Sequence, residues 1–212
     1  YEDVSTLLRD RRLGRSMRHL RPEPAPPPHL APFQRLSDFS MFDMEPPDHT
    51  RLRRLVSAVF TPRRVEALRP QVESAAEGLL DQALAKGTFD LLEDFAVPLP
   101  VMVIADLLGV PEADRPRLRP WSNAIVAMYE LEHTPAQETA AIQAATEFWE
   151  YLRWLAAERR RQPQEDLVSA LAAVTDAETG AQLSESELIA TCILLLNAGH
   201  EATVNGLGNG ML

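Results

Sequence analysis

The sequence predicts a mainly α-helical fold, and three observations predict it. Apolar residues recur at intervals of three and four along most of the chain, which stacks them on one helical face. Stretches with that period open on Ser or Thr followed by Pro or an acid and close on Gly, the residues that satisfy helix ends. The alternation expected of a half-buried strand is nearly absent.

Taken in order, 2–12 carries Val4, Leu7 and Leu8 at helical spacing, with Gly14 as its stop. The proline run over 21–32 forbids helix and strand ladder alike, so 16–45 is expected to be a loop, a lid that closes over something apolar with the Phe and Met residues of 33–44. A helix starts at Pro46 or Pro47, with Asp48 in its first turn, where the macrodipole favours an acid. Thr61 and Pro62 then read as N-cap and first residue of one long helix to Gly87. Positions 89–91 are expected to be extended. A buried helix follows to Gly109, another spans 111–128, and a long amphipathic one runs from Thr134–Pro135 to Arg161. A short helix after Pro163 and a turn at 176–180 lead to the closing helix, which Ser184 and Glu187 cap reciprocally. Trp121, Trp149 and Trp154 read as packing residues. About eight helices result.

Composition narrows the function. With 31 acidic against 21 basic residues and a net charge of −10, the chain as a whole is no nucleic-acid binder. A single cysteine, Cys192, can form no internal disulfide and no zinc cluster, which fits a reducing cytoplasm. The N-terminus has no signal-peptide core and no apolar run is long enough to span a bilayer. The sequence stops inside its closing helix, at Leu212, so a piece of something longer is expected.

Two stretches carry candidate chemistry. The closing helix is apolar on nearly every side over 188–196, then admits Asn197, Gly199, His200, Glu201 and Thr203, and burying an acid costs free energy that a ligand or reaction must offset. On the helix after Pro47, His49 and Arg53 lie four apart and share a face with Leu52, Val56, Val59 and Phe60, without a local acid to pair them. Arg51 and Arg54 point away and join Arg63 and Arg64 in a basic cluster. Arg9, Arg11, Arg12, Arg15, Arg18 and Arg21 form another, and His19, His29 and His133 read as solvated. His200-Glu201 begins like a zinc-protease motif, but Val204 stands where the second His is required, so that reading fails.

PPDHTRLRRLVSAVFTPRRV at 46–65 and LLLNAGHEAT at 194–203 together resemble the bacterial cytochrome P-450 family, the first its propionate-binding helix, the second its oxygen-binding motif. FDLLEDFAVPLPVMVIADLLGVP and DLVSAL also resemble that family, in order. The resemblance implies the helical portion of its fold, helices B to I, across 1–212 and cut before the haem-thiolate loop, with a substrate lid at 16–45, the propionate helix at 46–60, a second lid at 121–137 and the oxygen-binding helix at 185–212. It implies haem b and dioxygen as cofactor and co-substrate, with His49 and Arg53 on the propionates and Ala198 and Gly199 against the haem, Gly199 leaving room for dioxygen. Glu201, Ala202 and Thr203 form the catalytic stretch, Glu201 delivering protons from a kink in its helix. Phe42, Leu195 and Ala198 face a small apolar or macrocyclic substrate. NAD(P)H is expected to act through a ferredoxin reductase and an acidic ferredoxin docking on Arg51, Arg54, Arg63 and Arg64, with the protein a cytoplasmic monomer. The family usually has Thr where this chain has Ala202, which suggests substrate-assisted proton delivery. No residue here is expected to ligate the iron: the axial cysteine is expected beyond Leu212, and Cys192 reads as a small buried hydrophobe. The alternative is a non-catalytic helical module that binds an apolar ligand or a partner helix.

Overall fold

The computed structural model describes residues 1–10, 12–14, 25–130 and 132–211. Of the arginine-rich N-terminal region, Arg11, Arg15, Arg18 and Arg21 lie outside these, as do His19, the first part of the expected lid and one residue of the second lid. Ten α-helices are present among the described residues: α1 Glu2–Arg9, α2 Ala31–Phe39, α3 Asp48–Val59, α4 Pro62–Glu66, α5 Arg69–Lys86, α6 Pro98–Leu108, α7 Leu118–Val126, α8 Pro135–Arg161, α9 Leu167–Ala173 and α10 Glu185–Gly210. The described residues form no strand ladder, only an isolated bridge between Thr175 and Gln182; of the extended piece expected at 89–91, Leu91 is already helical and leads into a π-helical turn, Leu92–Ala96.

The helix starts stand where the local chemistry places them. Thr61 accepts a hydrogen bond from the Arg64 N–H, and Thr134 with Gln137 and Ser184 with Glu187 close full capping boxes on α8 and α10. Gly87 and Gly109 end α5 and α6 in the left-handed conformation that glycine adopts without a Cβ penalty.

Four expectations need correction. Residues 28–39 are not a loop: a 3-10 turn, Pro28–Leu30, leads into α2. Pro32 falls in the first turn of that helix, where a missing N–H costs nothing, and Leu36 is buried while Phe33, Phe39, Met41 and Met44 pack against the core. The helix expected from Thr61 to Gly87 is two, because Pro70 cannot donate within a continuous helix and its ring clashes with the preceding turn. Pro116 and Pro120 likewise divide 111–128 into a 3-10 segment, Glu112–Arg117, and α7. The closing helix, expected to continue to Leu212, ends at Gly210 with Met211 as its C-cap, and Leu212 itself lies outside the described residues. Gly206, Gly208 and Gly210 crowd that last stretch, and glycine is a poor helix former because it loses the most backbone freedom on ordering.

The core gathers around α10 and α8. Leu188, Ile189, Cys192, Ile193 and Leu196 from α10 join Phe148, Leu152 and Leu155 from α8, with Leu108, Leu118, Ile125 and Leu167. Trp121 stacks on Phe148 at 5.0 Å between ring centroids, and Trp149 is buried. Trp154 is 49% exposed and lies outside the core. No helix of the described residues is long and apolar enough to cross a membrane.

Candidate functional site

α10 divides into a buried first half and a second half with one open side. Glu187 to Ile193 are buried, while Leu195 is half-buried and Ala198 and Ala202 are exposed. These last three lie at intervals of three and four, so they share one face. Two methyl groups in succession make that face flat and apolar. α10 runs unbroken through Glu201, and Thr203 donates its hydroxyl to the Gly199 carbonyl at 2.7 Å. Such a bond to the preceding turn is the usual way a mid-helix Thr satisfies itself.

Gly199 has a packing reason of its own. A Cβ there would overlap Ile104 Cδ1 of α6 and stand 3.4 Å from Ile104 Cγ1. On the side where its Cβ would project, the vacated space is filled by Ile104, not left open.

His200 is 3% exposed, and neither ring nitrogen has a hydrogen-bond partner among the described residues. Its Nδ1 lies 3.6 Å from Glu201 Oε1. Burial lowers the imidazole pKa, Glu201 opposes that shift and Arg119 reinforces it, so the ring is neutral at pH 7. Upstream, Ser122 of α7 donates to Asn197 at 2.9 Å inside the core. The sequence showed Asn197 as a polar insertion but held no sign of that partner.

On α3 the placement differs from the expectation. His49 is half-buried and Arg53 exposed, so Arg53 does not sit on a buried stripe. Neither has a counter-ion among the described residues. The arginines assigned to the outer side are the paired ones. Arg51 binds Glu187 at the start of α10, and Arg54 binds Asp176 at 2.5 Å and Glu178 at 3.3 Å. Arg64 donates to the Asp166 carbonyl at 3.4 Å. Only Arg63 of the basic cluster is exposed and without an acid among the described residues, so the cluster is largely spent on holding α3 and α4 against the rest of the fold. Phe42 is 49% exposed.

The Arg51–Glu187 pair is titratable. Burial alone would raise the Glu187 carboxyl, but Arg51 and the Ser184 backbone and hydroxyl donors outweigh it and hold the group below its ordinary 4.5. A depressed carboxyl contributes stability above its unfolded value and loses it as pH falls through the folded one. Glu187→Gln is therefore expected to cost about 1–3 kcal/mol at pH 7 and to lose less on acidification than the parent, read by urea unfolding at neutral pH and below pH 4.5.

Cys192 is fully buried and its thiol is pushed up to about 12, by burial first and by the nearby Asp166 charge second. It is expected to resist iodoacetamide at pH 8 in the folded chain and to react fully in urea, since the thiolate is the nucleophile. Rapid alkylation without denaturant would contradict its burial.

The exposed residues fit a haem at two points. Arg53 and His49, one helical turn apart, offer donors that no protein carboxylate has taken among the described residues, and propionates are acceptors that suit them. Ala198 and Ala202 present a flat apolar strip that a planar macrocycle can approach.

No protein-family model matches the chain, but individual proteins do. It is 42% identical to cytochrome P450 107B1 of Saccharopolyspora erythraea over 100% of its own length and 51% of that protein. It is 41% identical to the mycinamicin IV hydroxylase/epoxidase of Micromonospora griseorubida, over 99% of this chain and 50% of that one. Among solved structures, P450BioI in complex with an acyl carrier protein bearing hexadec-9Z-enoic acid superimposes with a TM-score of 0.89 at 33% identity, over 100% of this chain and 52% of that one. The chain thus spans about half the length of the curated relatives it matches. Full-length coverage of this sequence at such identities, on the same arrangement of helices, places the chain in the bacterial cytochrome P-450 family, of whose fold it carries the helical N-terminal and central portion.

Proposed function

We propose that this chain forms the helical half of a haem-thiolate monooxygenase that inserts one atom of dioxygen into a small apolar or macrocyclic substrate, by hydroxylation or epoxidation. The observation that carries the reading is the pairing of two open features: a His–Arg couple on α3 that no carboxylate among the described residues takes, and an apolar strip on α10 beside an acid. When bound, haem would supply the redox chemistry that activates dioxygen. Arg53 and His49 would hold its propionates. Ala198 and Ala202 would lie against it, and Leu195 with Phe42 would border the substrate. Glu201, half-exposed at the edge of the strip, is the acid that would deliver protons.

Ala202 has no hydroxyl, and Thr203 has committed its own to the Gly199 carbonyl. The missing hydrogen bond would then come from the substrate or an ordered water. Ala202→Thr is expected to leave the coupling of reductant use to product unchanged with the native substrate; a sharp rise in coupling sinks the substrate-assisted part.

Electrons would come from NAD(P)H through a ferredoxin reductase and a ferredoxin in a reducing cytoplasm, the enzyme acting as a monomer. With Arg51 and Arg54 paired to acids, Arg63 is the member of the cluster best placed to meet an acidic partner. The reading is tested by the carbon monoxide difference spectrum of the complete gene product. A thiolate-type band is expected, and failure to bind haem would return the chain to a non-catalytic module.

A further inference from the structure

Neighbouring residues on a helix point 100° apart and do not normally meet. His200 and Glu201 nevertheless bring Nδ1 and Oε1 to 3.6 Å, so both side chains lean toward each other. The ring that leans is buried, and neither of its nitrogens has a hydrogen-bond partner among the described residues. α10 packs on α6, α2, α7, α8, α9 and the Leu92–Ala96 turn, and the charges acting on the ring are Glu201 of α10 and Arg119 of α7. Arg119 is in turn tied to Glu93 of the turn at 3.1 Å. A neutral imidazole has one N–H donor and one acceptor nitrogen. The Glu201 carboxylate, 3.6 Å from Nδ1, is a charged acceptor placed to bias which nitrogen carries the proton.

We propose that His200 is a positioning residue for Glu201: it directs Nδ1–H at the carboxylate and restrains the direction in which that acid points along the open strip of α10. The inference rests on the reading of Glu201 as the proton-delivering acid, but its geometry does not depend on bound haem. A space-filling histidine without a directing partner would keep the Nε2–H tautomer that a neutral histidine side chain favours. A positioning histidine must carry its proton on Nδ1.

The test is a long-range proton–nitrogen spectrum of this chain with 15N-histidine, the His200 ring being assigned by its loss in His200→Asn. The expected result is a neutral Nδ1–H tautomer that shifts toward Nε2–H in Glu201→Leu, where the acceptor is gone. An Nε2–H ring in the parent, or a spectrum that Glu201→Leu leaves unchanged, overturns the proposal. A second arm uses the haem-loaded full-length protein. His200→Leu is expected to lower product formed per reductant by about tenfold or more, the scale of a misplaced catalytic group. His200→Asn, whose amide reaches the Nδ1 position, is expected to restore most of it, and equal loss in both variants counts against positioning. The two readings fail separately: absence of a thiolate-type spectrum removes the monooxygenase function and leaves the tautomer standing, while the wrong tautomer removes the positioning role and leaves the enzyme.

Discussion

Gly109→Ala is expected to destabilise the chain by about 3–5 kcal/mol, whereas Gly87→Ala costs about 1 kcal/mol. Both glycines end a helix in the left-handed region, at φ +72° and +73°, so the conformational penalty of a side chain is nearly the same. Their surroundings differ. A Cβ at Gly87 meets nothing within 4 Å, while one at Gly109 would overlap Asp166 Oδ2 and lie 2.5 Å from its Cγ and 2.6 Å from its Cβ. Asp166 cannot give way cheaply. It pairs with Arg159, caps α9 by accepting from the Ser169 N–H at 2.7 Å, and lends its carbonyl to Arg64. Arg159 also donates to the Gly109 carbonyl at 2.6 Å, so displacing Asp166 strands a mostly buried guanidinium, and removing one partner of such a pair is costly. Urea midpoints of the two variants measure the difference directly. Equal losses would show that backbone conformation, not the Asp166 contact, fixes glycine at 109.

That junction marks the limit of what could be read from the chain alone. Helix starts were legible because a cap closes within three residues: Thr61 to Arg64, Thr134 to Gln137 and Ser184 to Glu187 each carry their chemistry in one short string. The breaks at Pro70, Pro116 and Pro120 were present in the same local code, but the apolar period on either side masked them. Contacts between distant residues left no local trace. Arg51 and Glu187 are separated by 136 positions, so the arginine on the outer side of α3 looked free when it was spent, and Arg53 looked buried when it was not. Gly199 shows the same limit inside the candidate site, where a missing side chain signals close approach without saying of what. Ile104 supplied the answer. His200 was legible as a polar insertion: it lies four residues beyond Leu196 and eight beyond Cys192, on the buried register of α10, where a polar ring calls for an explanation.

Arg53→Ala is expected to weaken haem retention in the full-length protein by about 10- to 150-fold, the equivalent of one charge-assisted hydrogen bond of about 1.5–3 kcal/mol, and to leave the unfolding of this chain within about 0.5 kcal/mol of the parent. The two expectations belong together. Arg53 is exposed and makes no ion pair among the described residues, while Arg51 and Arg54 beside it bind Glu187, Asp176 and Glu178. Three guanidiniums in four positions repel one another, and α3 tolerates the third although no acid among the described residues compensates it. A guanidinium that no acid among the described residues takes, and that raises local repulsion, is best accounted for by an anion that arrives from outside. His49, one turn earlier on the same face, places a second donor beside it, so His49→Ala is expected to act in the same direction. Arg63→Ala is the control, since it removes an equally unpaired arginine from α4 rather than from the His49 face. Haem transfer to an excess of apomyoglobin reads all three variants on one scale. If Arg63→Ala loosens haem as much as Arg53→Ala, the effect is general surface charge and the propionate assignment is wrong; if Arg53→Ala unfolds the chain, its guanidinium serves the fold instead.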